Sequence, residues 1–365
     1  MRIHLDETFV EGWFTGEVHA RRALVQVLAS RLRGDHLYTV EVASARRLAA
    51  AMEDGESLRL VLEMERDFVF LGDDADNFGV WASLTGGGGI FEVLAEPSGF
   101  RYVLSADVFL NSRLFEPLHL VLENIDERKF LDAVLDWYVS DELRRPALVT
   151  WMPINGGGDT IDRVIFADPL RPRLALVDSD RCCAECNVGQ TCRKALRAAR
   201  RSGGRIHITC YPGREIENLI PPNLVREAMR TTAGIQEIVD RVVLVSTRVP
   251  EFLRYFDWKK GLSSRTLTQL ADDRQAGTLW RAVAQAVAEA RLGCWVCRSP
   301  LDEAETACLG GCTVIPGVGG SLLDHVSRHV AAQSIGVGPT ELRDDWINVA
   351  RRVFAWAVSA PAVLA

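Results

Sequence analysis

The feature that most constrains this chain is a series of short apolar segments that alternate with helical segments between residues 117 and 212. The candidate strands are LHLVLEN (118–124), ALVTWMPIN (147–155), RLALVDSD (173–180) and RIHITCYP (205–212). The helical segments between them include DERKFLDAVLDWYVSDEL, TIDRVIFA and TCRKALRAARRSG. This alternation predicts a mainly parallel sheet with right-handed crossovers. Sites in such sheets lie beyond the carboxyl ends of the strands, so functional residues are expected there.

Acidic residues follow three of these four strands. Glu123 ends the first strand, Asp178 and Asp180 end the third, and Glu215 and Glu217 follow the fourth. Because side chains alternate along a strand, Asp178 and Asp180 are expected on the same side, where both can reach one ion. Mg²⁺ and similar hard cations bind a few carboxylate oxygens together with waters and a substrate phosphate. The strand ends therefore predict a Mg²⁺ (or Mn²⁺) site, with room for a pair of ions in phosphodiester chemistry.

These motifs resemble those of the Toprim fold, which occurs in topoisomerases, primases and OLD-type nucleases. VLENIDERKFLDAVL is similar to the first Toprim motif, LVDSDR to the second, and REIENLIP to an Arg-x-x-Glu-Asn segment of nuclease-like relatives. The resemblance covers about residues 117–222 and implies Mg²⁺-dependent phosphoryl transfer on DNA or RNA. It implies that Glu123 is a general acid/base or a ligand, that Asp178 and Asp180 are ligands, and that Glu217 completes or supports the site. By analogy with OLD-type relatives it also implies bacterial defence against mobile elements.

One position departs from the family pattern. Asn124 follows the first glutamate, where the family usually has glycine at a sharp turn. Asparagine adopts left-handed conformations more readily than most residues, so the turn can survive. The departure leaves an alternative open: a non-catalytic nucleic-acid-binding or adaptor protein with an inert Toprim-like domain. The carboxylates would then be helix caps or solvated loop ends, since Asp and Glu favour helix starts.

The charge of the chain is unevenly distributed. The net charge is −7, but residues 171–214 carry +7 and the remainder carries −14. The basic residues of the helix in this segment are Arg193, Lys194, Arg197, Arg200 and Arg201. Their helical spacing predicts a cationic ridge beside the acidic strand ends, suited to the phosphate backbone of DNA or RNA. A solvated helix face is the alternative.

Four cysteines near the C-terminus have the spacing of a zinc site. The pattern is Cys294-x2-Cys297-x10-Cys308-x3-Cys312, in which two chelating pairs are separated by a short loop. Tetrahedral Zn²⁺ takes four such ligands, so a structural zinc knuckle is predicted, with buried free thiols as the alternative. Because a closed four-cysteine site has no open coordination position, catalysis there is not expected.

A second group of cysteines directly follows the Asp-Ser-Asp motif. Its members are Cys182, Cys183, Cys186 and Cys192. They are candidates for a second zinc site or for a redox-sensitive regulatory element beside the Mg²⁺ edge. A weaker, third hypothesis for the whole protein is a zinc-dependent enzyme that acts through these cysteines.

The length of 365 residues predicts two or three domains. The predicted fold class is α/β, with an acidic α+β module (1–115), the Toprim-like domain (116–222) and a mainly helical region with the zinc knuckle (223–365). In the first module, apolar runs such as 58–64 predict a mainly antiparallel sheet with one or two helices, and the glycines of 85–89 predict a hairpin turn. This module is a candidate surface for a homo-oligomer or a partner protein.

The N-terminal segment lacks the features of a signal peptide, and no run of about 18 apolar residues occurs. This predicts a cytoplasmic protein without membrane contact, in which the nine cysteines indicate metal binding or catalysis rather than disulfides.

Overall fold

The computed structural model describes residues 1–71, 79–97, 99–144, 147–168, 170–292, 312–332 and 341–360. In these residues the chain is α/β, with two mainly parallel sheets that helices flank. The predicted fold class is confirmed at this level. Among the described helices, none combines the length and the apolar character that a membrane crossing requires.

The first sheet belongs to the N-terminal part of the chain. Its strands are β1 (Arg2–Leu5), β2 (Leu37–Val40), β3 (Val80–Thr85), β4 (Phe91–Glu96) and β5 (Gly99–Ser105). They lie in the order β2-β1-β3-β5-β4, and each neighbouring pair is parallel except β4 and β5. The helices of this part are α1 (Glu7–Phe14), α2 (Val18–Arg33), α3 (Val42–Ala51), α4 (Gly55–Leu71) and α5 (Ala106–Ser112).

The mainly antiparallel sheet predicted for this part is wrong. The apolar run 58–64 lies in α4, where Leu60, Val61 and Met64 are buried one helical turn apart, and short apolar runs do not distinguish a helix from a strand. The glycine run also forms no hairpin, because β5 lies between β3 and β4. Gly86 instead packs on α1, where a Cβ atom would lie 2.4 Å from a backbone carbonyl oxygen.

The second sheet follows the predicted alternation of strands and helices. Its strands are β6 (Leu118–Leu122), β8 (Trp151–Asn155), β9 (Arg173–Val177) and β10 (Ile206–Cys210), preceded at β8 by the short β7 (Leu148–Val149). The order is β10-β9-β6-β8 and each pair is parallel. The intervening helices are α6 (Arg128–Trp137), which continues as a π-helical turn (Tyr138–Leu143), α7 (Ile161–Phe166) and α8 (Gln190–Arg200).

The remaining described residues are mainly helical. Their helices are α9 (Pro222–Ala228), α10 (Ile235–Ser246), α11 (Phe252–Tyr255), α12 (Ser264–Ala271), α13 (Gly277–Glu289), α14 (Leu322–Ala332) and α15 (Arg343–Ala357). Three short strands accompany them: β11 (Gly261–Ser263), β12 (Thr313–Pro316) and β13 (Val358–Ser359). Strand β11 pairs with β12, and β13 returns to pair with β7 beside the second sheet.

One large cluster of buried side chains extends from β1 to the residue after β13. A smaller cluster lies between the second sheet and the helices α7 and α8, and it includes Val121, Val177 and Cys192. Strands β6 and β9 pair side by side in the middle of the second sheet, with Leu122 opposite Leu176, and the two clusters cover the two faces of these strands. The residues that leave these two strands therefore emerge next to each other.

Candidate functional site

Three acidic segments meet at the carboxyl edge of the second sheet. Glu123 follows β6 and Asp178 follows β9, and the backbone N–H of Asp178 donates to Glu123 Oε2 at 3.1 Å. The backbone N–H of Ile216, in the segment after β10, donates to Asp178 Oδ1 at 3.1 Å. Glu217 follows in the same short helical turn. The structure therefore brings together the strand ends that the sequence predicts as a site.

The Asp-Ser-Asp segment makes a sharp turn at this edge. Ser179 is buried and donates from Oγ to the Gly213 carbonyl oxygen at 2.5 Å, and Asp180 N–H donates to the Arg214 carbonyl oxygen at 2.9 Å. Asp180 has a left-handed φ of 54°, which is uncommon for a residue other than glycine and is often found at functional sites. Strand β9 ends at Val177, so Asp178 and Asp180 lie beyond the strand. The prediction that strand alternation places these two side chains on the same side is therefore wrong.

Gly189 is part of this turn, although the sequence did not single it out. Its N–H donates to the Ser179 carbonyl oxygen at 2.7 Å and thereby closes the loop that leads into α8. A Cβ atom on Gly189 would lie 2.2 Å from Asp180 Oδ2. Helix α8 can therefore begin directly against the Asp180 carboxylate only because residue 189 is glycine.

Asn124 is compatible with the site but not in the way the sequence suggested. Its φ of −130° is extended, so no left-handed turn is needed there. Its side chain caps a short helical turn by accepting from Asp126 N–H at 3.2 Å. Glu127 returns the contact, since its Oε1 accepts from Asn124 N–H at 2.8 Å. Asparagine thus fixes the path of the chain after Glu123 through a reciprocal capping arrangement.

Glu127 is a second residue that sequence reasoning missed. Its side chain is only 2% exposed, and its Oε2 accepts from the Tyr211 hydroxyl at 2.7 Å. Burial raises the pKa of Glu127 to about 8, against the opposing effect of the Tyr211 hydrogen bond. The spacing Glu123-x3-Glu127 is the signal that could have identified it, but a glutamate three residues after an asparagine is also an ordinary capping pattern.

Arg214 and Lys259 provide positive charge at the site. Arg214 Nε lies 3.4 Å from Glu215 Oε1. Lys259 is the second cation. Its Nζ lies 3.1 Å from Glu215 Oε2 and 3.0 Å from Glu217 Oε1. Burial alone would lower the pKa of Lys259, but the two carboxylates raise it above its usual value. Glu217 is 3% exposed, and its other oxygen, Oε2, has no hydrogen-bond partner among the described residues. Lys259 lies in the segment before β11, outside the stretch that carries the motifs, and the chain has only four lysines.

The carboxylates outnumber these two cations. The acidic residues of the edge are Glu123, Glu127, Asp178, Asp180, Glu215 and Glu217. Burial first, and then the charges of Glu127, Glu123, Glu217 and Glu215, raise the pKa of Asp178 well above its usual range. Burial is also the main cause of the raised pKa values of Glu123, Asp180 and Glu217. The edge therefore holds an excess of negative charge that a bound cation would relieve.

The side chains do not form a complete coordination shell as they stand. Within the described part of the chain, no group of three or more His, Cys, Asp or Glu side chains is arranged to hold a metal ion. Glu215 and Glu217 instead direct carboxylate oxygens to Lys259. Metal binding at this edge would require these side chains to turn.

Helix α8 presents part of the predicted cationic ridge. Arg193, Arg197 and Arg200 are exposed and form no ion pair with the residues that the structure describes. The other two predicted members are engaged. Lys194 Nζ lies 3.9 Å from Asp159 Oδ1, and the Arg201 guanidinium carbon lies 5.2 Å from the centroid of the Phe166 ring.

The two cysteine groups have different outcomes. Cys294, Cys297 and Cys308 lie outside the described residues, so the zinc knuckle stays a prediction, and Cys312 is partly buried. In the group that follows the Asp-Ser-Asp motif, Cys183 and Cys186 form a disulfide and Cys182 Sγ lies 3.2 Å from Cys186 Sγ.

Cys192 does not join that group. It is buried between α8 and the second sheet, where it contacts Cys210 of β10. The second four-cysteine zinc site is therefore not brought together, because the helix turns Cys192 towards the sheet.

Comparisons with protein-family models, with curated proteins and with solved structures found no match for this chain.

Proposed function

We propose that this chain is a Toprim-like, metal-dependent nuclease that hydrolyses phosphodiester bonds of DNA or RNA with Mg²⁺ or Mn²⁺. The observation that carries the proposal is the crowding of six carboxylates, buried (Glu127, Glu217) or mostly partly buried, at the carboxyl edge of a parallel sheet. Burying several like charges is costly unless a cation compensates them, so such a cluster points to a cation-dependent role.

The proposed ligands are Asp178, Asp180 and Glu123, with Glu217 in support. Asp178 is the central member, because its carboxylate is hydrogen-bonded to the Glu217 segment and its N–H to Glu123. A bound Mg²⁺ would supply an activated water and would stabilise negative charge on the scissile phosphate. The orphaned Oε2 of Glu217 fits this assignment, since a buried carboxylate oxygen without a partner is available to a cation.

Two further residues would support the ligands. Glu127, with a pKa of about 8, is mostly protonated at neutral pH, and it holds Asn124 N–H and therefore the chain that leaves Glu123. Lys259 balances Glu215 and Glu217 while no cation is bound. Once a cation takes over those carboxylates, the ammonium group would be free to contact a substrate phosphate oxygen.

The arginines of α8 would hold the substrate backbone. The helix begins against the Asp180 carboxylate, so a strand lying along Arg193, Arg197 and Arg200 would lead towards the acidic edge. Binding through guanidinium–phosphate contacts is independent of base sequence and sensitive to salt.

A second candidate function is a non-catalytic nucleic-acid-binding or adaptor protein. The absence of a ready coordination shell among the described residues favours it. Such a protein would bind nucleic acid equally well with EDTA and with Mn²⁺, and it would leave the strand intact.

The test is cleavage of labelled single- and double-stranded DNA and RNA by the purified full chain in Mg²⁺, Mn²⁺, Ca²⁺ or EDTA. We expect cleavage in Mg²⁺ or Mn²⁺ that EDTA abolishes and that the Asp178→Ala/Asp180→Ala variant lacks. Cleavage that persists unchanged in this variant would mean that the acidic edge is not the active site. Binding without cleavage under any of these conditions would favour the adaptor function.

A further inference from the structure

The loop between the Asp-Ser-Asp turn and α8 carries three cysteines whose sulfur atoms lie within reach of one another. Cys183 and Cys186 are joined by a disulfide, and Cys186 N–H also donates to the Cys183 carbonyl oxygen at 3.3 Å. Cys182 Sγ lies 3.2 Å from Cys186 Sγ. A third sulfur this close to a disulfide is placed for thiol–disulfide exchange, in which a thiolate attacks one sulfur of the pair.

The conformation of this loop is tied to Asp180. The loop starts at residue 181, one position after Asp180, and it is closed at its base by the hydrogen bond from Gly189 N–H to the Ser179 carbonyl oxygen. Gly189 in turn lies directly against the Asp180 carboxylate. A change in the loop therefore acts on a residue of the acidic edge without any long-range transmission.

The loop is also anchored to the helical region. The indole N–H of Trp280, in α13, donates to the Cys182 carbonyl oxygen at 2.7 Å. This bond holds the backbone of Cys182 in place beside the disulfide. Cys183 is 1% exposed and Cys186 is 7% exposed, whereas Cys182 is partly exposed. Of the three sulfurs, Cys182 is the one that a small-molecule disulfide can reach first.

We propose that Cys182, Cys183 and Cys186 form a thiol–disulfide switch. In this switch the Cys182 thiol exchanges with a small-molecule disulfide in solution, and the buried Cys183–Cys186 bond changes the affinity of the acidic edge for a cation. This inference rests on the proposed function for its cation. It assigns to these cysteines a role in regulating the same site.

The exchange balances with a low-molecular-weight disulfide such as glutathione disulfide as the oxidant. The Cys182 thiolate attacks the external disulfide, forms a mixed disulfide and releases one glutathione thiol. Cys186 then attacks Cys182 Sγ and releases the second glutathione thiol, and Cys183 finally attacks Cys186 Sγ and returns Cys182 as a thiol. Overall, two protein thiols lose two electrons and two protons, and one external disulfide becomes two thiols.

The oxidised loop is the form that favours cation binding. The Cys183–Cys186 bond constrains a four-residue turn close to Asp180, so it reduces the conformational freedom that Asp180 must lose when it binds an ion. Reduction would release this constraint, while the hydrogen bonds from Gly189 N–H and from the Trp280 indole would still anchor the ends of the loop.

The experiment measures Mn²⁺ binding to the full chain by calorimetry after treatment with glutathione disulfide or with dithiothreitol. Thiol alkylation and mass spectrometry report the state of each cysteine in the same samples. We expect a Cys183–Cys186 disulfide in the oxidised sample and a Mn²⁺ affinity about fivefold or more weaker after reduction, within the usual range of coupling between sites.

Variants separate the parts of the switch. The Cys183→Ser/Cys186→Ser variant should bind Mn²⁺ like the reduced protein whatever the treatment, while Cys210→Ser, a thiol of the same sheet outside the loop, should keep the full response. In Cys182→Ser the disulfide should still form, but on the order of tenfold more slowly, because access governs exchange.

Failure of this inference can be told apart from failure of the proposed function. If no Cys183–Cys186 disulfide forms, or if it forms without changing Mn²⁺ affinity, the switch is overturned while Mn²⁺-dependent cleavage can still stand. Equal rates of disulfide formation in Cys182→Ser and the unaltered protein would show that oxidation does not pass through Cys182. If neither form binds Mn²⁺, the proposed function and the switch are overturned together.

Discussion

The two mainly parallel sheets end in carboxylates at the same kind of edge, yet hydrogen bonds satisfy the carboxylates of the first sheet whereas those of the second sheet crowd together. In the first sheet, Asp6 follows β1, and its Oδ1 accepts from Phe9 N–H at 2.9 Å and from the Thr8 hydroxyl at 2.7 Å. Asp107 follows β5 and accepts from the Ser105 hydroxyl at 2.5 Å and from a backbone N–H at 3.1 Å. The Ser105 hydrogen bond lowers the pKa of Asp107.

In the second sheet the charged form of the carboxylates is disfavoured. Burial and neighbouring negative charges raise the pKa of Asp178, and burial raises that of Glu217 despite Lys259. The first edge therefore uses its carboxylates as satisfied hydrogen-bond acceptors: Asp6 caps α1, and Asp107 accepts from the glycine turn before β4. The second edge holds more negative charge than its donors can satisfy. An acidic residue at the end of a parallel strand does not by itself indicate a functional site. Burial of its charge without enough compensating partners does indicate one.

The largest effect that separates the two edges is expected in catalysis. Asp178→Asn keeps the size of the side chain and its ability to accept from Ile216 N–H, but it removes the charge. We expect the rate of Mn²⁺-dependent cleavage to fall about 100-fold or more, because a metal ion contributes several kcal/mol to transition-state stabilisation.

The matched control is Asp107→Asn at the first edge, which should change the cleavage rate by less than about twofold, since no charge is needed there. Initial rates at saturating substrate decide the comparison. Equal losses in the two variants would mean that the difference in electrostatic state has no functional meaning.

The second edge could be predicted from the sequence because its strands and helices alternate clearly. Parallel topology places Glu123, Asp178 and Glu217 at one end of the sheet, whatever the detailed packing. The first edge could not be predicted, because short apolar runs such as that in α4 do not distinguish a helix from a strand and favour an antiparallel sheet. An antiparallel sheet does not place Asp6 and Asp107 at a common carboxyl edge.

Details that depend on tertiary packing were also beyond the sequence. Lys259 reaches the site from a segment that follows α11, and no local pattern links it to Glu215 and Glu217. The left-handed backbone belongs to Asp180 and not to Asn124, because hydrogen bonds to the segment after β10 impose the turn there. Such positions are set by contacts between segments that are distant along the chain.

The next effect is on stability in the absence of a divalent cation. The pKa of Asp178 is higher in the folded protein than in the unfolded chain. The contribution of Asp178 to the free energy of unfolding is therefore fully favourable below the unfolded pKa near 4, and it is lost as the pH rises towards the folded pKa. Asp178→Asn should therefore raise the free energy of unfolding at pH 7.5 in EDTA, with a smaller change at pH 4.

Denaturant unfolding at the two pH values measures this difference. The same variant should lose the stabilisation that Mn²⁺ confers on the unaltered protein. Asp107→Asn is again the control and should behave oppositely, with lower stability at pH 7.5, because the pKa of Asp107 is lowered by folding. If Asp178→Asn were less stable than the unaltered protein in EDTA, this would contradict the proposal that the carboxylates of the second edge repel one another.

A smaller effect is expected from the exposed arginines of α8. Replacing Arg193, Arg197 and Arg200 with glutamine should weaken nucleic-acid binding about tenfold and reduce the slope of log affinity against log salt by about 2–3. The control is Arg21→Gln/Arg22→Gln, which alters exposed arginines on a helix of the first sheet. Fluorescence anisotropy across a salt series measures both quantities. An unchanged slope in the triple variant would show that α8 does not contact the backbone.

The smallest effect tests whether the first edge is only structural. Ser105→Ala removes the hydroxyl that donates to Asp107 and accepts from Ile90 N–H. We expect a loss of about 1 kcal/mol in the free energy of unfolding. The corresponding change at the second edge, Tyr211→Phe, removes the hydroxyl that donates to Glu127. Denaturant unfolding with and without Mn²⁺ distinguishes the two. Mn²⁺ affinity should be unchanged in Ser105→Ala and altered in Tyr211→Phe, and the reverse pattern would exchange the roles assigned to the two edges.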